Sequence, residues 1–203
     1  MRAAMKMKPA VFIDKDGTLI ENVPFNVDPA QLRFMTGALQ ALRAFADAGF
    51  ALIVVTNQSG LARKFFTRAE FDRLQQALEW RLFEEADIKL DDFVLCPHAP
   101  GLTEQPVCVC RKPAPGMLTR AAFKHGLDLA RSWIVGDTLD DIEAGHRAGC
   151  RGALLDSGGE TVWRRSPLRQ PDAHCHSWAE VRQAVLGVRS CRNSANADLA
   201  STA

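Results

Sequence analysis

Short β-rich apolar runs alternate with stretches of helical periodicity from residue 10 to about residue 187. The runs predict strands at 10–13, 51–55, 93–95, 132–135 and 152–155. The intervening segments predict helices at 37–48, 67–85, 116–125 and 139–148, and residues 172–187 fit a last short strand and a closing helix. Parallel strands need crossover connections of this length, so the pattern predicts an α/β fold with a parallel sheet and helices on both faces.

The length of 203 residues suits one domain with a full core. We expect residues 1–187 to form that domain and residues 188–203, which lack periodicity, to be a disordered tail. The formal net charge of +1 argues against a nucleic acid partner. No apolar run reaches the ~18 residues of a membrane span, and the one near the N-terminus is too short for a signal peptide. We therefore expect a cytoplasmic monomer without a membrane partner.

Two carboxylates follow the first predicted strand directly, in the stretch Asp14-Lys-Asp16-Gly17-Thr18. Ligands of open α/β sheets bind beyond the carboxyl ends of strands, and Asp14 lies at such an end. Carboxylates this close repel unless a divalent cation lies between them, and hard oxygen ligands favour Mg²⁺. A calcium loop fits poorly because Gly17 comes too early, whereas a solvated acidic turn stays open for this motif taken alone.

Polar residues also follow the second and fourth predicted strands. The stretch Thr56-Asn57-Gln58-Ser59 offers a hydroxyl, amides and backbone N–H groups that can cradle a phosphate. Asp137 and Thr138 bring a third carboxylate to the same edge, and Arg111 and Lys112 add positive charge before a predicted helix. Taken alone, each of these features is also typical of a structural role, as a strand-end turn, a helix cap or a solvated pair of charged side chains. Their joint occurrence on successive strand ends favours a phosphate site.

Three of the six cysteines cluster with a histidine, as Cys96-Pro-His98 and Cys108-Val-Cys110. Three thiolates and one imidazole are the composition of a closed structural zinc site, whereas disulfides are rare in a reducing compartment. Zn²⁺ there would hold the adjoining Arg-Lys pair in place. Buried cysteines beside a surface histidine are the alternative. The pattern His174-Cys175-His176 lies on a predicted strand with alternating side-chain directions, and we do not expect a metal site there.

The motifs resemble those of the haloacid dehalogenase-like (HAD) phosphatases over about residues 10–155. The resemblance implies one Rossmann-like domain without a large cap domain. It implies Asp14 as the nucleophile and Asp16 as the general acid and then base. It also implies that Lys112 and Thr56 hold the transferring phosphoryl group. The Mg²⁺ ligands that it implies are Asp14, Asp16, Asp137 and Thr138.

The zinc loop and the stretch from Thr56 to Arg63 resemble, more narrowly, the D-glycero-D-manno-heptose 1,7-bisphosphate 7-phosphatases. This implies a phosphorylated sugar as substrate and removal of its 7-phosphate. The residues expected to contact substrate lie in loops at the sheet edge: Asn22, Phe25, Thr56, Asn57, Gln58, Ser59, Arg63, Arg111 and Lys112. This sequence departs from that family's pattern at two places. Lys64 stands where the family commonly has glycine, and residues 21–26 lack the Gly-Tyr pair expected of the heptose enzymes.

Two other functions stay open at this point. The histidinol-phosphate phosphatases share much of the same pattern, and fold does not determine substrate. The other is a non-catalytic, zinc-stabilised binding domain. The complete set of Asp14, Asp16, Lys112 and Asp137 argues against that third hypothesis.

Overall fold

The structure, a computed structural model, describes residues 7–101 and 108–187. Six described strands form one parallel sheet: β1 (Ala10–Ile13), β2 (Ala51–Asn57), β3 (Asp92–Cys96), β4 (Trp133–Gly136), β5 (Arg151–Leu155) and β6 (Ala173–Cys175). The predicted α/β class is confirmed, and the predicted strands lie within two residues of the observed bounds. The expected tail at 188–203 falls outside the described residues, so the division into a domain and a tail stays a prediction.

Six α-helices of the described chain connect or follow these strands: α1 (Ala38–Asp47), α2 (Ser59–Ala62), α3 (Arg68–Ala86), α4 (Gly116–His125), α5 (Leu139–Ala148) and α6 (Trp178–Leu186). A capping box begins α3, since Thr67 Oγ1 accepts from Glu70 N and Glu70 Oε2 accepts from Thr67 N. None of the described helices is long and apolar enough to cross a membrane. The cytoplasmic location and the monomeric state stay predictions.

Alternating side chains of β1 fill two cores, one on each face of the sheet. Val11 and Ile13 pack on the side of α1, α3 and α6, with Phe45 among their neighbours. Phe12 packs on the opposite side against α4, together with Met117. All four β1 residues are fully buried, as expected for a central strand covered by helices on both faces.

The order of the strands, β3-β2-β1-β4-β5-β6, places a crevice beside the end of β1. Chain connections run outward in opposite directions from β1 and β4, and such a reversal is where open α/β sheets bind their ligands. Ile13 pairs with Val135 at this point, so the residues that follow β1 and β4 emerge side by side. The sheet therefore brings Asp14 and Asp137 together.

Candidate active site

Three buried carboxylates meet beyond the ends of β1 and β4. Asp14 follows β1, and its backbone N–H donates to Val135 O at 2.9 Å, which ties it to β4. Asp137 follows β4, and Asp141 projects from the first turn of α5. One carboxylate oxygen from each residue lies within 4.8 Å of the others. Asp141 lies four residues after Asp137 in the sequence, and sequence reasoning assigned no role to it.

The Lys112 side chain enters this group as its positive charge. Its Nζ lies 2.5 Å from Asp14 Oδ1, 2.5 Å from Asp141 Oδ1 and 2.9 Å from Val55 O. Burial lowers the pKa of Lys112, but the Asp14 and Asp141 carboxylates outweigh burial and raise it above its usual range. The ammonium therefore stays charged at neutral pH beside the carboxylate expected to attack phosphorus.

The carboxylates carry more negative charge than Lys112 alone offsets. Burial raises the pKa of Asp14 to about 8; Lys112 opposes this, and the nearby Asp141, Asp137 and Asp16 carboxylates add to it. Burial, followed by the Asp141 charge, raises the pKa of Asp137 to about 7. A desolvated group of oxygen ligands with excess negative charge is the environment that a hard divalent cation stabilises. The residues present therefore fit Mg²⁺.

Asp16 is oriented from two sides near the opening of the site. Lys15 Nζ lies 2.5 Å from Asp16 Oδ1, and Gln58 Nε2 donates to Asp16 Oδ2 at 2.9 Å. The same Gln58 amide donates to Thr56 Oγ1 at 2.8 Å, which links the ends of β1 and β2. The Asp16 side chain keeps 31% exposure, whereas that of Lys15 is buried at 3%. Sequence reasoning assigned no role to Lys15.

Two glycines let the backbone approach Asp137 closely. Gly17 has φ +80°, and a Cβ there would lie 2.2 Å from Asp137 Oδ2. A Cβ on Gly159 would lie 1.9 Å from the same oxygen. Ser157 Oγ donates to Gly17 O at 3.0 Å, so the segment after β5 also borders the site. Sequence reasoning missed Ser157 and Gly159 because their segment shows neither periodicity nor a motif.

Several residues predicted to contact substrate or Mg²⁺ also make contacts that support the site. The Asn57 side chain accepts from Lys112 N at 3.1 Å and donates to Lys112 O at 3.2 Å, which fixes the backbone that carries the lysine. The Thr138 hydroxyl donates to Asp141 Oδ2 at 2.6 Å as part of the α5 capping box. Ser59 is the first residue of α2, whose N-cap is Gln58. Thr56 is buried at the end of β2.

The remaining predicted contacts lie on the rim. Asn22 and Arg63 are exposed, and Phe25 meets Phe65 edge-on with ring centroids 4.6 Å apart. That aromatic contact joins the loop after β1 to the loop after α2. Arg111 Nη1 donates to the backbone carbonyl of His98 at 3.1 Å. The arginine is therefore engaged with the cysteine-rich loop, and its contact with substrate stays a prediction.

The predicted zinc ligands converge on one point. Sulfur and Nδ1 atoms of Cys96, His98, Cys108 and Cys110 form five contacts of 3.2–3.7 Å. A tetrahedron with metal–sulfur bonds of ~2.3 Å has edges of about 3.7 Å, so the group fits Zn²⁺ without rearrangement. Arg111 N also donates to Cys108 Sγ at 3.3 Å. This bond ties the cluster to the residue next to Lys112.

The thiols of this group have unequal pKa values. Burial raises the pKa of Cys96 to about 12 and also raises the pKa of Cys110. Burial also acts to raise the pKa of Cys108, but hydrogen bonds donated to its sulfur outweigh burial and lower the pKa. The backbone N–H of Arg111 has the largest effect of these donors. Zinc binds thiolates, so metal binding here would release protons.

Comparison with known proteins agrees with this geometry. The HAD-hydrolase-like family model matches residues 109–181. The D-glycero-beta-D-manno-heptose-1,7-bisphosphate 7-phosphatase of Escherichia coli (strain K12) is 38% identical over 183 residues, which cover 89% of this chain and 95% of the relative. The chain belongs to the HAD phosphatase family.

Two further relatives cover most of this HAD phosphatase. The enzyme of the same name from Salmonella typhi is 40% identical over 160 residues, which cover 77% of this chain and 85% of the relative. A structure of D,D-heptose 1,7-bisphosphate phosphatase from B. bronchiseptica, complexed with magnesium and phosphate, superimposes with a TM-score of 0.76 at 30% identity. That match covers 89% of this chain and 99% of the other.

Proposed function

We propose that this HAD phosphatase removes the 7-phosphate of D-glycero-D-manno-heptose 1,7-bisphosphate and leaves heptose 1-phosphate. The observation that carries the chemistry is the buried contact of Lys112 with Asp14 and Asp141, beside Asp137 at the sheet edge. The sugar is supported by the relatives that carry the name of this reaction and match nearly their full length.

In the proposed reaction an Asp14 oxygen attacks phosphorus in line with the leaving sugar oxygen. Asp16 protonates that oxygen as the bond breaks, and an aspartyl-phosphate forms on Asp14. Asp16 then removes a proton from water, which attacks the same phosphorus and releases inorganic phosphate. Lys112 offsets charge on the phosphoryl oxygens, and the Thr56 hydroxyl contributes a hydrogen bond. The contacts of Asp16 with Lys15 and Gln58 would keep its carboxylate aimed at the leaving group.

The Mg²⁺ of this reaction would be held by Asp14 and Asp137, together with the backbone carbonyl of Asp16. When bound, the ion supplies positive charge that lowers the repulsion between Asp14 and the phosphate. The Asp141 carboxylate lies in the same group and supports Lys112 directly. The Thr138 hydroxyl donates its hydrogen to Asp141 Oδ2, which leaves its oxygen lone pairs available to the ion, so Thr138 stays a candidate ligand.

Magnesium binding should strengthen as pH rises. Asp14 and Asp137 have folded-state pKa values of about 8 and about 7, above the ordinary 3.8, so the metal-free folded protein binds protons that the unfolded chain has released. The free energy of unfolding of the metal-free protein therefore falls between about pH 4 and pH 8. Both carboxylates must be ionised to bind the ion. The apparent Kd for Mg²⁺ should fall at least about tenfold from about pH 6 to pH 8.

Isothermal titration of Mg²⁺ into protein prepared in magnesium-free buffer, without a chelator that would strip zinc, measures this dependence. The Asp137→Asn variant is the control, because it lacks one of the titrating carboxyls and should show a shallower pH dependence. An affinity that stays constant over the same range would contradict the assignment of these carboxylates as ligands.

We also propose one structural Zn²⁺ per chain, held by Cys96, His98, Cys108 and Cys110. Elemental analysis of protein purified without added metal should find it. Cys110→Ser should lose the zinc and much of the activity, because the cluster holds the backbone beside Lys112. Cys150→Ser is the control, since Cys150 is a buried thiol that belongs to none of the metal-binding groups among the described residues. Retention of zinc by Cys110→Ser would remove that residue from the ligand set.

The substrate is tested by phosphate release from heptose 1,7-bisphosphate, sugar monophosphates and histidinol phosphate at equal enzyme concentration. We expect the highest kcat/KM for the heptose bisphosphate. A higher kcat/KM for histidinol phosphate would overturn the sugar assignment while leaving the phosphatase chemistry intact. Failure to release phosphate from every substrate in the presence of Mg²⁺ would overturn both.

Arg111 is proposed to recognise the second phosphate of the substrate. Its guanidinium has five N–H donors, and within the described part of the chain one of them contacts His98 O. A planar guanidinium can grip a phosphate with two parallel hydrogen bonds. Arg111→Ala should then lower kcat/KM for the bisphosphate by about 10- to 150-fold. Hydrolysis of p-nitrophenyl phosphate, which has no second phosphate, should change little.

The control for this variant is Arg120→Ala, which removes an exposed arginine from α4. It should leave both substrates unaffected. An equal loss on both substrates in Arg111→Ala would instead assign the arginine to bracing the cysteine-rich loop through its contact with His98.

A further inference from the structure

A third cluster of metal-binding residue types, besides the carboxylates at Asp14 and the cysteine–histidine group, lies at the same edge of the sheet. Asp156 follows β5, His174 belongs to β6, and His176 follows β6 directly. Side chains two residues apart share a face of a strand, so the two imidazoles lie together while Cys175 between them points into the core. The alternation that argued against a metal site here therefore brings the histidines together.

The geometry of this cluster suits a shared ligand. His174 Nε2 lies 3.0 Å from Asp156 Oδ2, and the two imidazole rings have centroids 5.2 Å apart. One ligand atom from each of the three residues lies within 4.8 Å of the others. Metal bonds of ~2.0–2.2 Å bring two ligand atoms to within about 4.2 Å, so a small rotation of the exposed His176 completes the approach.

We propose that Asp156, His174 and His176 bind a divalent transition-metal ion such as Zn²⁺ or Ni²⁺. Two imidazoles and one carboxylate favour such ions, whereas Mg²⁺ prefers oxygen ligands alone. A surface ion pair would need only His174 and Asp156. An ion pair does not require the second imidazole, that of His176, whereas a metal site with three protein ligands does.

The backbone at this site is set by the sheet. Leu155 pairs with Cys175 in the β5–β6 ladder, and Asp156 N donates to Cys175 O at 2.8 Å. Asp156 and the histidines therefore emerge from two paired strands, and little backbone ordering accompanies metal binding. The side chains of His174 and Asp156 are 45% and 29% exposed, which leaves room for water to complete the coordination.

The site adjoins the segment that returns toward the active site. Ser157, next to Asp156, donates to Gly17 O, and the Trp163 ring lies 5.9 Å from the His174 ring. A bound ion would fix Asp156, the first residue of 156–163, and also His174, whose ring contacts Trp163 at the other end of that segment. The indole also gives the site its own optical signal, because a paramagnetic ion on His174 would quench Trp163 fluorescence.

The test is calorimetric titration of Ni²⁺ into tag-free protein that retains its cysteine-bound zinc, with excess Mg²⁺ present to occupy the carboxylate site. One Ni²⁺ should bind per chain, and tryptophan fluorescence should fall in parallel. His174→Gln and His176→Gln should each raise the Kd for Ni²⁺ at least about tenfold, since even indirect support of a metal ligand carries that much. Trp163→Phe should bind Ni²⁺ normally but lose most of the fluorescence change.

His125→Gln is the matched control, because His125 also pairs with a carboxylate, Asp92 at 2.9 Å, but belongs to none of the metal-binding groups among the described residues. It should bind Ni²⁺ as the wild type does. Circular dichroism should show all variants folded. Absence of saturable binding in the wild type, unchanged binding in both His174→Gln and His176→Gln, or an equal loss in His125→Gln would each overturn the proposal.

Discussion

Asp14→Asn is expected to lower phosphate release by at least about 10³-fold, because covalent catalysis has no route without the attacking carboxylate. Asparagine has nearly the same shape, and Lys112 keeps its contact with Asp141. Burial already disfavours the ionised form of Asp14, as its pKa of about 8 shows, so removing the charge should not destabilise the metal-free fold. The variant should therefore be inactive and as stable as the wild type.

Steady-state phosphate release and thermal unfolding, measured on the same preparation, check both halves of this prediction. Asp137→Asn is the informative comparison, because it removes a neighbouring carboxylate that is not the nucleophile. Raised Mg²⁺ should restore part of the activity of Asp137→Asn and none of that of Asp14→Asn. Activity of Asp14→Asn within about tenfold of wild type would refute its role as the nucleophile.

The central part of the fold could be predicted from local pattern alone. The run Ala10–Ile13 is apolar throughout and is followed at once by Asp14, so both the strand and its end are visible in the sequence. The helices α4 and α5 were likewise predicted with the observed bounds, and the structure shows that each ends at a glycine with positive φ, Gly126 and Gly149. Active-site residues lie at or next to the ends of these elements.

Other bounds depend on contacts that no local pattern shows. β2 continues to Asn57 because Thr56 and Asn57 pair with Leu95 and Cys96 of β3. The polar residues therefore belong to the strand rather than to a separate loop. The short helix α2 that follows was not predicted, since its four residues are too few for a periodic signal.

The candidate site was predicted in its residue types but not in its contacts. The sequence shows Asp141 three residues after Thr138, a spacing that explains the helix cap. Its second contact, with Lys112, joins residues 29 positions apart and appears only when β4 and the cysteine-rich loop are in place. The meeting of Asp156 with His174 likewise requires the β5–β6 pairing.

The Lys112→Met variant should lose both activity and stability, and the loss of stability should depend on pH. Methionine keeps most of the side-chain length but leaves Asp14 and Asp141 without their shared positive charge. Loss of a positive charge aimed at the phosphoryl oxygens should lower kcat about 10²- to 10³-fold. Removing one partner of a buried ion pair costs about 3–5 kcal/mol in free energy of unfolding where the other partner stays charged.

The sign of the pH dependence follows from the carboxylates left behind. Lys112 opposes the rise in the Asp14 pKa, so without it the folded-state pKa of Asp14 moves further above the 3.8 of the unfolded chain. The folded variant then binds more protons than the unfolded chain over a wider range, and its stability falls as pH rises. Wild-type Asp14 ionises only above about pH 8, so denaturant midpoints should fall further below wild type near about pH 9.5 than near about pH 6.

Lys15→Met is the matched control for this effect, because it also removes a buried ammonium that contacts a carboxylate. Asp16 remains 31% exposed, so water can solvate its charge when Lys15 is lost. The Lys15 variant should therefore show a smaller loss of stability with little dependence on pH. Added Mg²⁺ should narrow the stability gap of Lys112→Met, since the ion offsets the same carboxylates. Equal destabilisation of Lys112→Met at both pH values, unaffected by Mg²⁺, would contradict the view that Lys112 balances this buried charge.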